Sequence, residues 1–106
     1  MARQIGELEV RTGALADLGD VQFAAGDVPA AAVSFQAAID LGHETGDPYY
    51  TARALAGSAS AQQASGDVAG ARLRWQQALD LYSVMGLPEA AEIRSRLGRP
   101  DVDPAG

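Results

Sequence analysis

The side chains that could take part in catalysis or metal binding are few and widely separated in this sequence. His43 is the single histidine, and the absence of cysteine removes thiolate nucleophiles, disulfides and cysteine-ligated metal sites. Two carboxylate pairs, Glu7 with Glu9 and Glu89 with Glu92, are of the kind that the dipole favours in the first turn of a helix. We therefore expect no enzymatic activity, no bound metal and no cofactor.

Phosphate and nucleic-acid binding are also disfavoured by the charged residues. Gly26-Asp27 and Gly66-Asp67 lack the further glycines and the lysine of a phosphate-binding loop. The net charge of −6 opposes binding to DNA or to an anionic membrane unless basic residues are concentrated on one face. A locally basic C-terminal part contains Arg72, Arg74, Arg94, Arg96 and Arg99. We expect these surface arginines to form exposed ion pairs with Asp80, Glu89 and Glu92 and to make no direct contact with nucleic acid. A phosphate-binding site at the same arginines is the alternative.

These residues are positioned by an internal repeat with a period of 40 residues, marked by Gly6, Gly46 and Gly86. The same interval relates Phe35 to Trp75, and it also relates two longer pairs of segments: Gly26-Asp27-Val28 with Gly66-Asp67-Val68, and Ala38-Ile39-Asp40-Leu41 with Ala78-Leu79-Asp80-Leu81. The chain is therefore organised as consecutive similar units.

Within each unit the apolar residues keep the spacing of an amphipathic helix. Ala31, Phe35 and Ala38 fall on one face, and this spacing places Phe35 and its equivalent Trp75 in the core. Gly46-Asp47-Pro48 is typical of a joint between helices, because the glycine suits a left-handed residue, the aspartate an N-cap and the proline a first turn. We predict an all-α fold of about five antiparallel helices, near residues 8–25, 28–45, 48–65, 68–85 and 88–98.

This pattern resembles that of the tetratricopeptide repeat family. The residues that match in order and spacing are Leu18-Gly19, Gly26-Asp27, Ala31, Phe35 and Ala38-Ile39. The second unit departs from the pattern at Ser58-Ala59, and the period exceeds the ordinary repeat of about 34 residues. The pattern of this chain is similar to that of a long-repeat variant found in the C-terminal arrays of bacterial transcriptional activators. The resemblance implies a solenoid of helical hairpins that binds proteins or peptides.

The phase of the repeat predicts one domain over residues 1–98 and a disordered tail over 99–106. Gly6 would end a truncated repeat at residues 1–6, with Met1 to Ile5 as its last helical turn. Repeat one, repeat two and a capping helix follow at 7–46, 47–86 and 87–98.

We expect this chain to be the C-terminal repeat segment of a larger bacterial regulatory protein. No signal peptide or bilayer-spanning segment is evident, so we expect a cytoplasmic protein.

The resemblance further implies a concave groove lined by the first helix of each hairpin. Carried over position by position, the candidate partner-binding residues are Asp20, Phe23, Arg53, Ser60, Gln63 and Arg96. The family's clamp for a peptide carboxylate requires lysine and asparagine, which Ala16 and Asp20 replace here, so we do not expect that activity. One or more of Tyr49, Tyr50 and Tyr82 would serve as exposed contact residues.

The leading functional hypothesis is a protein–protein interaction module that presents either the groove or an open end of the repeat array. Roughly three repeats are needed to bury a continuous core, so the open end is expected to be apolar and to support a homodimer. The alternative is a domain that senses a peptide or small ligand in the groove, with Phe23, Arg53 and Gln63 as its convergent side chains.

Overall fold

Five α-helices form the described part of the chain, which in this computed structural model is residues 2–98, with side chains described at Glu7 and from Val10 onwards. The helices are α1 Ala2–Ala24, α2 Val28–Thr45, α3 Pro48–Ala64, α4 Val68–Met85 and α5 Glu89–Gly98. The predicted all-α class and the number of helices are confirmed, and residues 2–98 contain no strand. The predicted tail at 99–106 lies outside the described residues.

The joints between helices follow from four glycines, three of which precede a capping aspartate. All four joint glycines have positive φ, a region that side chains with a Cβ rarely adopt; they are Gly26, Gly46, Gly66 and Gly86. Asp27, Asp47 and Asp67 then cap α2, α3 and α4, each accepting a hydrogen bond from a backbone N–H three residues later, at 3.2, 3.1 and 2.9 Å. The sequence motif therefore ends one helix and begins the next.

The helix end predicted at Gly6 is wrong. Helix α1 runs without interruption from Ala2 to Ala24, so no joint lies at Gly6. The sequence around Gly6 explains the difference, because each joint glycine is followed within two residues by a capping aspartate, a proline or both, whereas Gly6 is followed by Glu7 and Leu8. Proline keeps the preceding residue out of the helical conformation. Glycine alone lowers helix stability by only about 1 kcal/mol and does not end a long helix.

Close helix packing is made possible by alanine and glycine. The core contains many alanines with almost no exposed surface, among them Ala31, Ala38, Ala52, Ala54, Ala59 and Ala78. The Phe35 ring, 1% exposed, is inserted from α2 between Gly19 of α1 and Gly57 of α3. A Cβ atom at Gly19 would lie 2.6 Å from this ring, so glycine is required for the approach. The predicted core position of Phe35 is confirmed.

The helices pack in chain order, and α1 also packs against α3. Gly13 of α1 lies under the Tyr50 ring of α3, where a Cβ would be 3.0 Å from Tyr50 Cζ, so these two helices approach closely. One repeat later, the position of Gly13 is occupied by Arg53 and that of Tyr50 by Ala90. Helix α5 packs against α4, and among the described helices no comparable packing joins it to α3. The bulk of Arg53 explains this separation, which leaves a cleft.

Candidate functional site: a charged cleft between three helices

A cleft of about 280 Å³ lies between α1, α3 and α5, with side chains of α4 at its base. We call it the charged cleft, because its polar lining consists mainly of ionisable side chains: Asp20, Arg53, Ser60, Glu89, Glu92 and Arg96. Ala56, Gly57 and Ile93 supply small and apolar lining next to these charges. The cleft thus brings together charged groups from three helices over an apolar base.

Four of the six residues predicted for the groove line this cleft: Asp20, Arg53, Ser60 and Arg96. The other two, Phe23 and Gln63, do not contribute to its lining. Phe23 lies in the last turn of α1 and is half-buried, and Gln63 lies exposed in the last turn of α3. Helix α5 has only 10 residues, and the cleft formed against it does not extend to these helix ends.

Arg53 connects the two sides of the cleft through ion pairs with α1. Its Nη2 atom is 3.0 Å from Asp17 Oδ1 and 2.5 Å from Asp20 Oδ2. Burial of the guanidinium lowers its pKa, but the hydrogen bonds from Arg53 to Asp17 and Asp20 outweigh that effect, so that the pKa of Arg53 is raised. Arg53 is therefore a permanent cation whose charge two carboxylates already balance.

Arg96 lies over the aromatic base of the cleft. Its guanidinium carbon is 4.7 Å from the centre of the Trp75 ring, within the range of a cation–π interaction. Trp75 is 7% exposed, which confirms its predicted core position, and Arg96 is exposed on α5. Trp75 is therefore part of the core and also lines the cleft, where the Arg96 guanidinium stacks on the accessible face of its indole.

Tyr82 provides a hydroxyl group at the same cleft. The residue is 3% exposed and lines the cleft beside Glu89. Burial, followed by the negative charge of Glu89, raises the pKa of Tyr82 to about 12, so the phenol remains protonated at neutral pH. No hydrogen bond joins the Tyr82 hydroxyl or the Trp75 indole N–H to another of the described residues. Of the three tyrosines, Tyr49 is the most exposed, at 37%.

The cleft contains residues that the sequence analysis assigned otherwise. Glu89 and Glu92 were explained by the helix dipole alone, and Trp75 by core packing, yet all three line the cleft. A signal was present in the spacing, because Glu89, Glu92, Ile93 and Arg96 fall at i, i+3, i+4 and i+7 on one face of α5. These four side chains form the wall that α5 contributes to the cleft.

Three of the described arginines in the C-terminal part, Arg72, Arg74 and Arg94, form separate hydrogen bonds and do not converge on one phosphate site. Arg72 donates to the Leu97 carbonyl oxygen at 2.8 Å, Arg74 to Gln36 Oε1 at 3.0 Å and Arg94 to the Ser83 hydroxyl at 3.4 Å. These contacts replace the ion pairs with Asp80, Glu89 and Glu92 that we expected from the sequence. Arg99 lies outside the described residues.

Other kinds of site receive no support from the described residues. His43 is exposed in the last turn of α2. Among the side chains that the structure describes, there is no cluster of three or more suited to hold a metal ion. None of the described helices combines the length and hydropathy that a bilayer crossing requires.

The surface of α1 offers a second candidate site, which we call the α1 face and define by Val10, Leu18 and Val21. These side chains are 73%, 45% and 66% exposed. Their spacing places them on one side of the helix, opposite the buried Thr12 and Ala16. The α1 face is thus an apolar surface that no described helix covers.

The equivalent face of α3, 40 residues later in the chain, is buried. The residues of α3 equivalent to Leu18 and Val21 are Ser58 and Ala61, which are only 6% and 1% exposed. On this side of α3, Tyr50 contacts Gly13 of α1 and Gly57 contacts the Phe35 ring of α2, so the preceding helices cover it. The equivalent face is therefore buried by a helical hairpin in α3, whereas in α1 it is exposed.

Comparisons of the chain with family models, with curated proteins and with solved structures give no match. Function is therefore inferred from the geometry of the charged cleft and the α1 face.

Proposed function

We propose that this protein is a protein-interaction module built from tetratricopeptide-like helical hairpins. The observation that supports the proposal most is the α1 face, where Leu18 and Val21 are 45% and 66% exposed although their equivalents in α3 are only 6% and 1% exposed. Large apolar side chains grouped on one face mark an interaction surface more often than a solvated one. The partner that fits this face is a helical hairpin, because a hairpin covers the same face of α3.

A second copy of this chain is the first partner to consider. Full burial of a valine or leucine side chain contributes about 1.5–3 kcal/mol, so three partly exposed side chains contribute several kcal/mol before the cost of association. That cost is about 4–15 kcal/mol, which limits the three side chains to a weak complex unless neighbouring surface is also buried. We therefore expect a homodimer that forms and dissociates within the micromolar to millimolar range.

Light scattering after size exclusion tests the proposal over a wide range of protein concentration. We expect a concentration-dependent dimer for the wild type and a monomer for Val21→Glu, because the glutamate would place a charge within the α1 face. Val84→Glu is the matched control, since Val84 is 87% exposed on α4 and away from this face. A wild-type monomer at every concentration, or an equal effect of both variants, would refute self-association through the α1 face.

A second candidate function is the sensing of a peptide or small ligand in the charged cleft. It is favoured by a separate observation, the convergence of Asp20, Arg53, Ser60 and Arg96 on one cleft with Trp75 at its base. Trp75 is the single tryptophan of the chain, so a ligand that enters the cleft should change the tryptophan fluorescence. We expect Ser60→Ala to weaken such a response, and Gln63→Ala, outside the cleft, to leave it unchanged.

A further inference from the structure

We propose that the charged cleft binds the guanidinium group of an arginine side chain from a partner, and that Arg96 is an intramolecular occupant of the same site. This inference deepens the second candidate function and rests on it. It is independent of the α1 face, since Val10, Leu18 and Val21 do not line the cleft.

The charge of the cleft selects a cation. Asp20, Glu89 and Glu92 line it with carboxylates, whereas the charge of Arg53 is already balanced by its ion pairs with α1. Neither Glu89 nor Glu92 forms a salt bridge with another described residue. An incoming cation therefore meets two unpaired carboxylates, in a chain whose net charge of −6 also attracts it. An anion would have to compete with Asp17 and Asp20 for Arg53.

The base of the cleft selects a planar cation with several N–H donors. Arg96 stacks on Trp75 with its guanidinium carbon 4.7 Å from the ring centre, which demonstrates that the exposed indole face accommodates this group. The Tyr82 hydroxyl, on a side chain that is 3% exposed, lines the same cleft and has an unused oxygen acceptor. A guanidinium can stack on the indole and donate to Tyr82 and Glu89 at once, because its five donors are arranged in a plane.

The size of the cleft favours a side chain over a whole metabolite. Its volume of about 280 Å³ lies just below the range of about 300–1,000 Å³ that is typical of pockets for drug-sized ligands. Arg96 enters from α5, where it is exposed and free to leave without disturbing the core. A partner's arginine would therefore displace Arg96 from Trp75, and removal of Arg96 should raise the affinity for the partner's side chain.

Titration with three small probes tests this inference on the full chain. The probes are the acetylated amides of arginine, of citrulline, which has the same shape without the charge, and of glutamate, which is anionic. Trp75 fluorescence and calorimetry at low ionic strength report binding. We expect Arg96→Ala to bind the arginine probe about ten-fold more tightly than the wild type does. In the wild type the probe must displace Arg96 from Trp75, and a cation–π interaction of about 1.4 kcal/mol corresponds to a factor of ten in affinity.

Matched variants separate the cleft from general charge effects. Arg94→Ala removes a neighbouring α5 arginine outside the cleft and should bind as the wild type does. In the Arg96→Ala background, Glu89→Gln with Glu92→Gln should abolish arginine binding, while Glu44→Gln, on the surface of α2, should not. Circular dichroism and thermal melting of each variant establish that it is folded.

The outcomes distinguish this inference from the function on which it rests. If citrulline binds as well as arginine, or if Arg96→Ala does not raise the affinity, guanidinium recognition is overturned. If only the glutamate probe binds, the inference fails and the second candidate function stands. If none of the three probes binds any variant, both are rejected.

Discussion

Substitution of Gly19 by alanine is expected to destabilise the protein, although alanine is the better helix former. The new Cβ would lie 2.6, 2.7 and 2.9 Å from three carbons of the Phe35 ring, well inside the ordinary contact distance of 3.4 Å. The ring cannot move away, because it is 1% exposed and also packs against Gly57 of α3, where a Cβ would lie 2.3 Å from the ring. The strain of a methyl group inserted into such a packed core costs about 1–3 kcal/mol.

The expected net change follows from two opposing terms. Alanine gains about 1 kcal/mol over glycine in helix propensity. Because the ring is confined from both sides, we take the overpacking cost as about 3 kcal/mol. The net result is a loss of about 2 kcal/mol in the free energy of unfolding. For a domain of this size that loss lowers the melting temperature by about 8–16 °C.

Urea denaturation followed by circular dichroism measures the change. Gly98→Ala is the control, since a Cβ at Gly98 of α5 meets no atom within 4 Å and should not destabilise the protein. In a Phe35→Leu background the smaller side chain relieves the contact, so Gly19→Ala should cost less there than in the wild type. A Gly19→Ala variant as stable as the wild type, or an equal cost in both backgrounds, would refute the proposed role of Gly19.

Three further predictions concern single side chains. Asp47→Ala should lower the free energy of unfolding by about 1 kcal/mol in urea, because Asp47 caps α3 through the N–H of Tyr50 at 3.1 Å, and Asp47→Asn should restore most of it. The pKa of Tyr82, raised from 10.0 to about 12, favours the folded state below pH 10 and loses this effect as pH rises towards 12, so alkaline denaturation should be steeper for the wild type than for Tyr82→Phe. Arg53→Gln should cost less than about 1 kcal/mol, and this cost should vanish in high salt if the exposed ion pairs are its cause.

The helices were predictable because their ends have local causes. Gly46-Asp47-Pro48 combines a left-handed glycine, a capping aspartate and a first-turn proline, and the structure uses all three. The error at Gly6 came from the period alone, since neither a capping aspartate nor a proline follows this glycine. The chemistry of the joint therefore predicts a helix end better than the spacing of glycines does.

The charged cleft was predictable only in part. The resemblance to the tetratricopeptide pattern identified Asp20, Arg53, Ser60 and Arg96, which line one cleft in the structure. The stacking of Arg96 on Trp75 depends instead on how α5 lies across α4, and no local sequence pattern determines that placement. The separation of α5 from α3 is also a tertiary effect, since it follows from the side chain of Arg53 where the previous unit has Gly13.

The packing of α5 against α4, in the part of the chain that the structure describes, has a consequence for local unfolding. A terminal helix held by one neighbour opens at a lower free energy than helices enclosed on several sides, so its amide protons should exchange with solvent first. Each such opening removes Glu89, Glu92 and Arg96 from the cleft. A ligand held by these side chains would slow the exchange of α5 and leave that of α2 unchanged.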